Sequence, residues 1–135
     1  MKSIDTNVLV RFVLADESSP AEKAQYQASI RVLANGPLFI LDSVVLESVW
    51  VLSKVYRLSA EQYVRELSDI AGLPNVTLEN PARVAAAFQW HLEGMDFADA
   101  LHLAGSGLCD ELVTFDKGFI AAAKAKTACR VIEPA

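Results

Sequence analysis

Short continuous apolar runs alternate along this chain with longer segments in which apolar residues recur every three or four positions. The first pattern belongs to buried strands and the second to amphipathic helices. Residues 1–5 read as a short buried strand. Asp16-Glu17-Ser18-Ser19-Pro20 forms a turn into a helix over 21–34, with Pro20 suited to its first turn and Asn35-Gly36 to its end. Leu38-Phe39-Ile40-Leu41 is apolar throughout, as in a parallel strand covered on both faces. Asp42 or Ser43 is placed to cap a helix that runs to about Tyr56. A helix from Ser59 to Ala71 stops at Gly72, and 75–78 is a strand. An Ala-rich helix over 81–92 ends at Gly94, and another over 97–106 is closed by Gly107. A strand at 111–115, a helix at 117–126 and a short strand at 130–132 complete the chain. This alternation predicts an α/β fold: a three-layer sandwich with a central, mainly parallel sheet and helices on both faces.

A length of 135 residues suits a single domain with a substantial core. The 53% hydrophobic and 21% charged fractions exclude a disordered chain. No apolar run approaches the ~18 residues of a membrane span. The first residues lack the basic, apolar and small-residue succession of a secretory signal. Cys109 and Cys129 are isolated, which predicts two buried thiols in a reducing cytoplasm. A net charge of −5 opposes unaided nucleic-acid binding, since phosphate contacts supply much of that affinity. Acids that bind divalent ions are formally neutralised, however, and the remainder is then close to balanced.

Four acids occupy apolar surroundings where an unpartnered carboxylate is costly. Asp5 ends the first strand, and Asp116 follows the strand Glu111–Phe115. In open α/β sheets ligands bind beyond the carboxyl ends of strands, so two such acids on neighbouring parallel strands share an edge. Either residue also suits a turn or helix cap; Asp5 is favoured as a site, whereas Asp116, followed by Lys117-Gly118, fits both readings. Glu47 lies in a helix expected to be apolar nearly all round and largely buried, beside Val44, Trp50 and Val51. It therefore requires a metal or an ion pair to Arg11 or Lys54. Asp96 and Asp99 share one helix face near its N-terminus, where the dipole favours negative charge. Asp96 stands where a cap belongs; Asp99 does not, and is preferred as the ligand with Asp96 as auxiliary. Oxygen donors without useful His or Cys select a hard ion, Mg²⁺ or Mn²⁺. Asn7 and Thr114 flank the acids, placed to orient a carboxylate, touch a phosphate or simply serve their turns. His91 and His102 read as core or surface residues, and Trp50, Trp90, Phe88 and Phe97 as core.

Taken in order, Ile4-Asp5-Thr6-Asn7-Val8-Leu9, Glu47 with Trp50-Val51-Leu52, Asp96-Phe97-Ala98-Asp99-Ala100-Leu101-His102-Leu103-Ala104 and Thr114-Phe115-Asp116 resemble the motifs of PIN-domain ribonucleases. The resemblance is closest to VapC-type toxins of toxin–antitoxin pairs and spans nearly the whole chain, though residues 57–80 carry no motif. It implies metal-dependent hydrolysis of phosphodiester bonds in single-stranded RNA. Asp5 would be the central ligand, with Asp99 completing the principal site. Glu47 and Asp116 would hold a second ion or position the attacking water. The same resemblance implies a homodimer and a small antitoxin partner. A PIN-like module that binds RNA or protein without cutting is the main alternative. A response-regulator receiver would leave Glu47 unexplained, although Asp42 imitates its phosphoacceptor. A haloacid-dehalogenase-type phosphatase would need an acid where Asn7 stands.

Overall fold

In a computed structural model describing residues 1–135, five strands and seven α-helices follow one another in two compact units, 1–81 and 82–135. Within the first unit, β1 (Lys2–Ser3), β2 (Leu38–Ile40) and β3 (Val76–Leu78) form a sheet in the order β1-β2-β3. Both pairings are parallel, with Lys2 opposite Leu38 and Leu38 opposite Val76. A parallel pair cannot be closed by a tight turn, so each connection is a helical crossover. Helices α1 (Thr6–Leu14) and α2 (Pro20–Ala34) link β1 to β2. Helix α3 (Asp42–Trp50), a π turn at Val51–Val55 and α4 (Ala60–Ala71) link β2 to β3.

Helix α5 (Pro81–Leu92) starts on the last residue of the first unit and otherwise belongs to the second, where it and α6 (Phe97–Gly105) precede β4 (Glu111–Val113). Helix α7 (Lys117–Ala123) then leads to β5 (Arg130–Ile132). β4 and β5 pair in parallel, Glu111 opposite Arg130. The α/β class and the parallel pairing agree with the sequence pattern; the ladder hydrogen bonds, however, form two sheets of three and two strands. No helix is long and apolar enough to cross a membrane.

The core of the first unit is built on β2, whose Leu38 and Ile40 are buried, and on Leu9, Leu52 and Leu67 from the surrounding helices. In the second, Val84, Ala87, Phe88, Phe97, Ala100 and Leu103 are buried, with the Phe88 and Phe97 rings stacked at 5.4 Å. Several sequence expectations need correction. The first strand is only two exposed residues long, and the apolar run after Asp5 is a helix, α1. Neither Asp42 nor Ser43 caps α3: Leu41 is the cap residue, and the Asp42 N–H instead donates to Glu79 Oε1 at 2.9 Å. Cys129 is buried, whereas Cys109 is exposed. Burial pushes the Cys129 thiol above its ordinary pKa, and nearby Cys109, Asp110 and Glu111 add to the effect.

Candidate metal and RNA site

Each of the predicted acids except Glu47 stands at or inside the first turn of a helix, and local hydrogen bonding explains why. Asp5 has extended backbone and caps α1, its Oδ1 accepting the Thr6 N–H at 2.7 Å. The carboxylate is exposed beside a buried Thr6, so it is fixed by the backbone without being desolvated. Asn7 is exposed one residue further on.

Glu47 differs from expectation. Helix α3 turns Val44, Val45, Ser48 and Val49 inward and leaves Glu47 and Trp50 outside. The inner stripe fits a 3.6-residue period once Ser48, 0% exposed, is counted as a core position. Glu47 thus needs no ion pair to justify burial, and Arg11 is engaged instead by Glu22. Trp50 is 58% exposed and is not a core residue. Helices α1 and α3, which carry Asp5 and Glu47, pack against each other within the first unit.

In the second unit, two acids bear on a third. Asp96 caps α6, with Oδ2 accepting the Asp99 N–H at 3.1 Å. Asp116 caps α7, with Oδ1 accepting the Phe119 N–H at 3.0 Å. Asp99, in the first turn of α6, is half-buried, and this burial pushes its carboxyl above the ordinary range. The Asp96 and Asp116 carboxylates push it in the same direction, and the His102 ring opposes them. Of the two roles weighed for Asp96, the structure shows the helix cap; its carboxylate also raises Asp99. His102, set aside as a surface or core residue, lies one turn beyond Asp99, and the i,i+3 spacing was the signal for that proximity.

Thr114 serves the turn. Its Oγ1 accepts the Asp116 N–H at 3.0 Å while its own N–H donates to the Ile132 carbonyl at 2.9 Å. A Cβ at Gly118 would lie 3.2 Å from Asp116 Oδ1, so the glycine leaves that carboxylate its room. As the side chains stand, no three His, Cys, Asp or Glu groups close around a single point as metal ligands. The donor chemistry nonetheless fits a hard cation: carboxylate oxygens only, with mutual repulsion at Asp99 that a divalent ion would relieve.

A family model for the PIN domain matches residues 3–125, and the chain belongs to that family. Among solved structures it is similar to VapC20 of Mycobacterium tuberculosis, a toxin that cleaves the sarcin–ricin loop. The two are 17% identical, with 94% of this chain and 98% of that one covered, at a TM-score of 0.43. No curated protein sequence matches the chain.

Proposed function

We propose that this protein is a metal-dependent endoribonuclease that hydrolyses phosphodiester bonds of single-stranded RNA, and that it is the toxin of a type II toxin–antitoxin pair. Membership of the PIN domain family supports the nuclease reading. The observation that carries the metal site is the charge crowding at Asp99, a half-buried acid opposed by two other carboxylates. Such crowding is unfavourable without a cation, and an acid raised by burial together with charged neighbours is a candidate for a site of chemistry.

Asp5, Glu47, Asp99 and Asp116 would hold Mg²⁺ or Mn²⁺, with Asp96 as auxiliary. A bound divalent ion supplies charge stabilisation at the phosphate and a water of lowered pKa. The chain's own residues fix the acids. The Thr6 N–H holds Asp5, and the Asp99 N–H holds Asp96. Thr114 and the Phe119 N–H hold Asp116 between them. Asn7, exposed two residues after Asp5, is available to a phosphate oxygen. The family match runs through both units, which supports reading the chain as one nuclease domain. A homodimer, a small antitoxin that blocks the site and a cytoplasmic location complete the proposal.

The test is cleavage of a fluorescent single-stranded RNA in Mg²⁺. Activity should stop on adding EDTA and be lost in Asp99→Ala. Cutting that persists in EDTA would overturn the metal mechanism. A small antitoxin-like reading frame beside the gene is the expected genetic context for a toxin.

A further inference from the structure

We propose that Phe115 is a stacking platform for a nucleobase of the single-stranded RNA, which binds there beside the acid Asp116. The proposal rests on the ribonuclease reading above. Phe115 is 82% exposed, although phenylalanine is among the residue types most often buried. Its display is not that of a loose loop. On one side, the Thr114 N–H donates to the Ile132 carbonyl at 2.9 Å, continuing the β4–β5 ladder. On the other, the Asp116 N–H donates to Thr114 Oγ1 at 3.0 Å, and Asp116 itself caps α7. The ring is thus held on a pinned backbone, and little ordering remains to be done when a ligand arrives.

The neighbours of Phe115 match the two faces of a nucleotide. Val113, the last residue of β4 and 57% exposed, stands two residues before it and is a second exposed apolar side chain. Lys117, exposed at the start of α7, offers a cation to a phosphate. Unstacked bases of single-stranded RNA bind in this way, with the π-face on an aromatic ring and the backbone on a basic group. A second copy of the chain is the competing occupant. It would need only an apolar side chain at position 115, whereas a base needs an aromatic one.

Steady-state cleavage of a fluorescent single-stranded RNA in Mg²⁺ distinguishes them, using Phe115→Ala, Phe115→Leu and Phe115→Trp. Phe115→Ala should raise KM roughly 5- to 150-fold, the range expected for one lost base stack, with a smaller effect on kcat. Phe115→Trp should restore the KM and Phe115→Leu should not. Melting temperature and gel-filtration elution should be unchanged in all three. Wild-type KM in Phe115→Ala, or full rescue by leucine, would overturn the assignment. A change of oligomeric state in Phe115→Ala would hand the surface to a second copy. Should the unaltered protein cut no RNA at all, the ribonuclease reading falls first and takes this one with it.

Discussion

At Ser48 a hydroxyl is fully enclosed on the inner stripe of α3 without a hydrogen-bond partner. A buried hydroxyl left unpaired forfeits its bonds to water, and serine is also a poorer helix former than alanine. Ser48→Ala should therefore stabilise the protein by about 1 kcal/mol, read from the midpoint of urea unfolding. Asp99 gives a prediction with a pH sign. A carboxyl whose folded pKa lies above its unfolded one adds stability below the unfolded value, and that contribution is lost as pH rises through the folded value. The unfolded value lies near 3.8. In EDTA at pH 7, Asp99→Asn should accordingly melt higher than the unaltered protein, and the gain should vanish below about pH 4. A gain that persists undiminished at pH 3 would show that ionisation of Asp99 is not its source. The residues themselves explain why the cap at Asp96 was legible and the exposure of Glu47 was not. Asp96 stands directly before Phe97, where a cap belongs, and its carboxylate accepts the Asp99 N–H. Around Glu47 the flanking apolar residues are numerous enough to suggest an enclosed helix, and only the inward position of Ser48 shows which stripe is buried.

The π turn at Val51–Val55 is the element with no warning in the sequence. Tyr56 N–H reaches back to the Val51 carbonyl at 3.2 Å, one residue further than an α-helix allows. Nothing in Val51-Leu52-Ser53-Lys54-Val55 favours that spacing locally. Within the turn Leu52 is enclosed, while Val55 and Tyr56 stay outside. Leu52→Ala should cost about 2–5 kcal/mol in urea unfolding, whereas Val55→Ala should fall within about 0.5 kcal/mol. Helix α4 was, by contrast, legible at both ends. Ser59 and Gln62 form a reciprocal capping box and Gly72 closes the helix. Ser59→Ala should cost about 1 kcal/mol. The helix at Thr6–Leu14 was missed because Asp5-Thr6-Asn7 reads equally as a strand end and as a cap, and its apolar run has strand-like density.

For the molecule as a whole, the acidic balance and the proposed metal ligands make cation binding the variable that should govern behaviour. Mn²⁺ at a hundredfold its dissociation constant should stabilise the folded protein by about 2.7 kcal/mol, seen as a rise in melting temperature. Asp5→Asn should reduce that rise, and an undiminished response would remove Asp5 from the ligand set. The α/β class was readable from the alternating pattern, since each crossover needs its own helix. How the strands divide was not readable, because ladder partners depend on which short apolar runs meet in space. That division has a kinetic meaning. Pairing Lys2 with Leu38, or Leu38 with Val76, closes a span roughly twice that between Glu111 and Arg130, and longer closures cost more entropy before any contact repays them. Pulse-labelled hydrogen exchange during refolding should therefore protect the amides of 111–113 and 130–132 before those of 38–40 and 76–78, making the strand pair that leads into Asp116 the earlier of the two sheets to order.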